Sequence, residues 1–145
     1  MLQPRIQLPA LSFKPIHLPL FSYKVAAGFP SPADDYIEGR LSLDEHLIHH
    51  KDSTFFVRAK GNSMVGAGIF DNDLLIVDKS LTPSSGDIVI AVLDGDLTVK
   101  RLIKQGSRII LKPENHRFKD IELQEGQELQ VWGVVTSTVK TFHKG

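Results

Sequence analysis

Two residues of this chain have the side chains, and the neighbours, that acyl-transfer chemistry needs. Ser63 stands in Gly61-Asn62-Ser63-Met64, and Lys100 stands well downstream in Leu97-Thr98-Val99-Lys100-Arg101-Leu102-Ile103. A serine hydroxyl is a weak nucleophile until a base removes its proton. With no histidine suitably placed, a lysine kept neutral by its surroundings can be that base. Gly61 lets the backbone turn sharply before the serine, so the hydroxyl can project outward. The backbone N–H groups of Ser63 and Met64 can then point at a developing oxyanion.

Lys100 lies in an apolar run. Strand alternation puts Thr98, Lys100 and Leu102 on one face and Leu97, Val99 and Arg101 on the other. Apolar neighbours desolvate the amine, which disfavours the ammonium and lowers its pKa. Bringing a lysine from about 10.4 to about 7 takes roughly 4–5 kcal/mol of differential environment. A third piece is upstream, in Ala26-Ala27-Gly28. Small residues on both sides of the Ala27-Gly28 bond offer little resistance to threading a narrow cleft. Taken singly, the three pieces also read as an ordinary turn serine, an edge-strand lysine with its head in water, and a flexible joint.

The elements that must position these residues fall into two parts. Residues 1–30 carry Pro4, Pro9, Pro15, Pro19 and Pro30, which oppose both helix and sheet pairing. This predicts an extended N-terminal arm rather than a domain; its apolar residues Leu18, Leu20, Phe21, Tyr23 and Phe29 argue against a purely solvated tail. Residues 31–145 form the body. Ser31-Pro32-Ala33-Asp34-Asp35-Tyr36 reads as a helix start, and Ser42-Leu43-Asp44-Glu45 as a capping box. Two short helices are therefore expected between arm and body. From Thr54 onward the pattern is strand and turn, with strands expected over 54–59, 74–78, 88–93, 97–103, 108–112 and 129–142. Asp94-Gly95 between two apolar runs signals a tight hairpin. The fold class is mostly β, an antiparallel body with short helices.

Composition narrows the partners. The chain has 145 residues and 41% hydrophobic residues, enough for a single core. Lysine plus arginine balance aspartate plus glutamate at 17 each, for a formal net charge of zero. A protein whose main partner is a nucleic-acid backbone needs a positive surplus. The absence of cysteine excludes thiol nucleophiles and disulfides. No apolar run approaches the roughly 20 residues that span a bilayer, and the prolines break any signal-peptide core. His46 and His50 have the spacing of a zinc pair but no further ligand cluster, so neither metal nor cofactor is expected. Asp71, Asp73, Asp78 and Asp87 read as turn formers, and Trp132 as a core or dimer-interface residue.

In this order and spacing the pieces resemble a known family. Ala27-Gly28 followed by Phe29-Pro30-Ser31-Pro32-Ala33-Asp34-Asp35-Tyr36 is similar to the cleavage region of UmuD-type proteins. Gly61-Asn62-Ser63-Met64 with Ile69-Phe70-Asp71-Asn72-Asp73-Leu74-Leu75-Ile76-Val77-Asp78 resembles the nucleophile segment of the LexA/UmuD self-cleaving serine peptidases (peptidase S24 type). Gly86-Asp87-Ile88-Val89-Ile90-Ala91 and Leu97-Thr98-Val99-Lys100-Arg101-Leu102 match the lysine segment. The resemblance covers residues 18–140, nearly the whole chain. It implies a LexA/UmuD C-terminal-domain-like fold, Ser63 as nucleophile, Lys100 as general base, and Ala27-Gly28 as the bond cut. It further implies cleavage stimulated by the RecA–single-stranded-DNA filament. The product is then a homodimer that joins a UmuC-type Y-family DNA polymerase in translesion synthesis during the SOS response. Some members carry cysteine where this chain has Ala27, and others have alanine. Residues 1–17 match nothing in the family.

The expectation is a cytoplasmic protein, without a membrane segment and without sequence-specific DNA binding. A non-catalytic dimeric accessory subunit is the alternative. A phage-type repressor would need a helix-turn-helix domain where this chain has a proline-rich arm. A signal peptidase would need a membrane anchor.

Overall fold

A computed structural model describes residues 14–22, 24–25 and 37–143. They fall into two compact units, divided between His46 and Leu47. The Ala27-Gly28 bond and the helix start read at 31–36 lie outside the described residues.

In the first unit, β1 (Leu18–Phe21) pairs antiparallel with β2 (Ile37–Leu41) in a two-stranded ribbon. The strand at 37–41 stands where the expected helix would have continued. Arg40 Nη2 donates to the His17 carbonyl at 3.1 Å, which ties the start of the ribbon to its partner strand. The second expected helix is present as α1 (Leu43–Leu47), whose first backbone bond runs from His46 N–H to the Ser42 carbonyl.

The second unit is one antiparallel sheet of seven strands. They are β3 (Thr54–Arg58), β4 (Leu74–Asp78), β5 (Ile88–Leu93), β6 (Asp96–Gln105), β7 (Arg108–Lys112), β8 (Ile121–Glu122) and β9 (Leu129–Val139). Their spatial order is β3-β4-β9-β5-β6-β7-β8, so the last strand joins the β3–β4 hairpin to the rest. The β5–β6 hairpin turns on Asp94 (φ 48°) and Gly95 (φ 86°), the pair of positive φ values that a tight two-residue turn requires.

Side-chain alternation on β5 builds the interior. Ile88 and Ile90 pack in one cluster with Met64, Ile69, Leu75 and Val77. Val89, Ala91 and Leu93 pack in another with Leu102, Leu111 and Val134. The expected single core is thus two clusters. They lie on opposite faces of a central strand, which is why Ile88–Leu93 reads as an unbroken apolar run. Trp132 is 42% exposed, so it is not a core residue. Strand β9 ends at Val139, short of the expected Phe142, which is 92% exposed. Among the described residues no helix is long and apolar enough to cross a membrane.

Of the four aspartates read as turn formers, Asp73, Asp78 and Asp87 close local turns, while Asp71 reaches back ten residues. Asp71 Oδ1 accepts from Gly61 N–H, Asp73 Oδ2 from Phe70 N–H, Asp78 Oδ1 from Ser80 N–H and Asp87 Oδ2 from Ser84 N–H. Asp78 is buried, and its hydrogen bonds from Ser80 and His50 hold its carboxyl well below the usual range. His50 Nδ1 sits 2.6 Å from Asp78 Oδ2, so this member of the histidine pair is engaged with a structural carboxylate.

Candidate active site

The turn that carries Ser63 lies between β3 and β4. Ala59, the residue after β3, donates its N–H to the Asp73 carbonyl and accepts from Asn72 N–H, which closes the neck of the connection. Gly61 takes φ 86°, a left-handed conformation that glycine adopts without steric cost, and its N–H is held by Asp71. Met64 is the anchor. Its side chain is 2% exposed in the first apolar cluster, and its carbonyl accepts from both Ala67 N–H and Ile69 N–H. Burying Met64 fixes Ser63 beside it, facing out of the core. Among the described residues no backbone carbonyl accepts from the N–H of Ser63 or of Met64.

Lys100 comes from the middle of β6, opposite Val89 on β5. Its Nζ lies 3.2 Å from Ser63 Oγ, 2.7 Å from Thr98 Oγ1 and 3.1 Å from the Val99 carbonyl. The structure therefore brings together the serine and lysine singled out in the sequence. The alternation that grouped Thr98 with Lys100 also holds. Among the described residues no carboxylate forms an ion pair with this amine. Burial without a compensating anion pushes its pKa below the ordinary lysine value.

A neutral amine has two N–H donors and one lone pair. Thr98 Oγ1 and the Val99 carbonyl can take the two donors. The lone pair is then left for the Ser63 hydroxyl, the arrangement a general base requires.

A cleft of about 330 Å³ opens beside the pair, with apolar Val57, Leu75, Leu97 and Val99 in its lining, and Arg58, Lys60 and Thr98 there besides Ser63 and Lys100. Its lining mixes apolar side chains with these polar and cationic ones. A larger cavity of about 800 Å³, near Asp94, Gln127 and Leu129, contains neither residue of the pair. Size therefore does not mark the site here; chemistry does.

Sequence reasoning missed the segment that braces the turn. Glu114 N–H donates to the Ser63 carbonyl at 2.8 Å, and the Glu114 carbonyl accepts from Gly66 N–H at 2.7 Å. Asn115 Nδ2 donates to the Asn62 carbonyl at 2.8 Å. A Cβ on Gly66 would lie 2.6 Å from the Glu114 carbonyl oxygen, so only glycine permits this approach. Among the described residues no cluster of histidine, aspartate and glutamate could hold a metal ion.

The chain that folds in this way has known relatives. A family model described as Peptidase S24-like matches residues 19–136. The protein SamA of Salmonella typhimurium (strain LT2) is 47% identical over 121 residues, covering 83% of this chain and 84% of that protein. MucA of Escherichia coli is 39% identical over 123 residues, 84% of each chain. The LexA repressor of Caldicellulosiruptor saccharolyticus is 43% identical over 110 residues, 76% of this chain and 54% of that one. The chain belongs to the peptidase S24 family as a UmuD-type protein, with the mostly antiparallel β fold of the LexA/UmuD group. That family is one of self-cleaving peptidases related to the SOS response.

Proposed function

We propose that Ser63 and Lys100 form the catalytic dyad of a serine endopeptidase that cuts its own chain between Ala27 and Gly28. The observation that carries this reading is the 3.2 Å approach of Lys100 Nζ to Ser63 Oγ at the wall of a cleft. Lys100 Nζ takes the hydroxyl proton as Ser63 Oγ bonds to the carbonyl carbon of Ala27. The N–H groups of Ser63 and Met64 stabilise the oxyanion. As the Ala27–Gly28 bond breaks, Lys100 returns the proton to the departing amine of Gly28. Water then attacks the acyl-serine with Lys100 again as base, which releases the Ala27 carboxylate and restores Ser63.

In this reading residues 1–30 are the substrate arm, and residues 31–145 the peptidase and dimerisation domain of a cytoplasmic homodimer. An arm docked for only part of the time slows cleavage in proportion to its docked fraction. A RecA–single-stranded-DNA filament would accelerate cleavage by favouring the docked state. The shortened dimer would then serve a UmuC-type error-prone polymerase. The names of the MucA and LexA relatives, and their family, support this assignment.

The test is incubation of the purified protein across a pH series without activator. The base is the unprotonated amine, so the rate rises with pH and levels off once Lys100 is neutral. Mass spectrometry should find fragments ending at Ala27 and starting at Gly28, absent from Ser63→Ala. An intact chain at every pH would instead indicate a non-catalytic accessory subunit.

A further inference from the structure

The serine and the lysine are joined by a second route besides their own hydrogen bond, and it runs through Glu114. The backbone of Glu114 bonds to the nucleophile turn at two points, the Ser63 carbonyl and the Gly66 N–H. Its side chain reaches the other way. Oε1 accepts from Arg101 Nε at 2.5 Å, and Arg101 is the residue next to Lys100 on β6. The guanidinium is pinned in turn, since Arg101 Nη1 donates to the Gly86 carbonyl at 2.5 Å, just before β5. Both members of the pair are largely screened from water, with side chains 31% and 24% exposed. A charge-assisted bond at such a site is shorter and stronger than a neutral one.

We propose that the Arg101–Glu114 pair is a positioning device for the peptidase, setting the distance between the serine turn and the lysine strand. Neither residue touches the reacting atoms. Each acts through a neighbour: Glu114 through the turn its backbone braces, Arg101 through the strand that carries the base. The turn has no ladder of its own to hold it against β6, so the pair supplies a side-chain crosslink between them. The separation it sets is critical, because a displacement of about 1 Å can cost on the order of 100-fold in rate.

The inference rests on the dyad reading, and the experiment separates the two. Self-cleavage is followed across pH for the unaltered protein, Glu114→Gln, Arg101→Met and the double variant, each below its melting temperature as recorded by circular dichroism. Glu114→Gln keeps both backbone bonds and loses only the charged contact. The expected result is an alkaline plateau rate lowered about 10-fold or more in each single variant, with the pH midpoint within about one unit of the original. The double variant should be no slower than the worse single variant, because both remove the same link.

A plateau rate equal to the original in folded Glu114→Gln would overturn the proposal. So would a shifted midpoint at an unchanged plateau, since that would place the effect on the proton affinity of the lysine and not on geometry. Should Glu114→Gln not fold, Arg101→Lys decides in the same way: it keeps the charge but loses the Nε and Nη1 fork, and an original plateau rate would again overturn the proposal. Failure of the unaltered protein to cleave at any pH would instead remove the dyad reading beneath it.

Discussion

Ser63 sits in an irregular turn tied by scattered hydrogen bonds, whereas Lys100 sits within a ten-residue strand, in the half of it that pairs with β5. Besides its own internal bonds, the turn is braced from two places: Asp71 near its end, and the adjacent Glu114 and Asn115 far beyond it. The bonds around the lysine come from a ladder in which loss of any one leaves the others in register. The two halves of the proposed dyad should therefore respond differently to damage. A strand residue can lose packing and keep its place, while the turn depends on a few contacts that have no substitutes.

The largest effect should come from the strand side, by removing the group rather than moving it. Lys100→Ala takes away the proposed base and should lower the alkaline self-cleavage rate by about 10²–10⁴-fold, measured by fragment appearance on a gel. The next should come from the turn. Gly66→Ala places a methyl group 2.6 Å from the Glu114 carbonyl oxygen, so the brace must shift. A rate loss of about 100-fold is expected, with about 1–3 kcal/mol of stability lost to overpacking, read by denaturant unfolding. The same rate in Gly66→Ala as in the original chain would show that the turn is firmer than its bonds suggest.

Core damage beneath the lysine strand sharpens the contrast. Leu111 is 2% exposed and pairs with Leu102 across β6 and β7. Leu111→Ala should cost about 2–5 kcal/mol in denaturant unfolding. The folded fraction should nevertheless cleave at close to the original rate.

The smallest effect is expected at Asp78, at the end of β4 and away from both halves. Its folded pKa is depressed by Ser80 and His50. Its contribution to stability is therefore present above the ordinary carboxylate range, about 4, and is lost as pH falls through the lower folded value. Asp78→Asn should flatten the acid limb of a stability-versus-pH curve and leave the neutral region less changed.

The strand side of this comparison was legible in the sequence. Lys100 announces itself as a charge inside an apolar run, and Thr98 two residues before it must share its face. The hairpin at Asp94-Gly95 and the strands around it follow from composition and alternation. The turn side was legible only in part. Gly61 and Ser63 are visible, but nothing in Pro113-Glu114-Asn115 signals that its backbone will meet a turn some fifty residues earlier, a separation of 53 between Asn115 and Asn62.

Long-range backbone bonds carry no side-chain signature. For a similar reason β2 was unreadable, because Ile37-Glu38-Gly39-Arg40-Leu41 is extended through its pairing with β1 and has little strand character of its own. Strand β8, with two residues, is too short for any periodicity.

The place of β9 between β4 and β5 has a consequence for when the protein becomes dangerous to itself. In the ladder of the sheet, this late-translated strand is what connects the β3–β4 portion, which carries the serine turn, to the β5–β6 portion, which carries the lysine. A nascent polypeptide emerging from the ribosome holds both reactive groups long before it holds the seam that unites them. In the dyad reading, self-cleavage therefore waits until synthesis has passed Val139, and a chain stopped at Glu128 should remain uncut even in alkali.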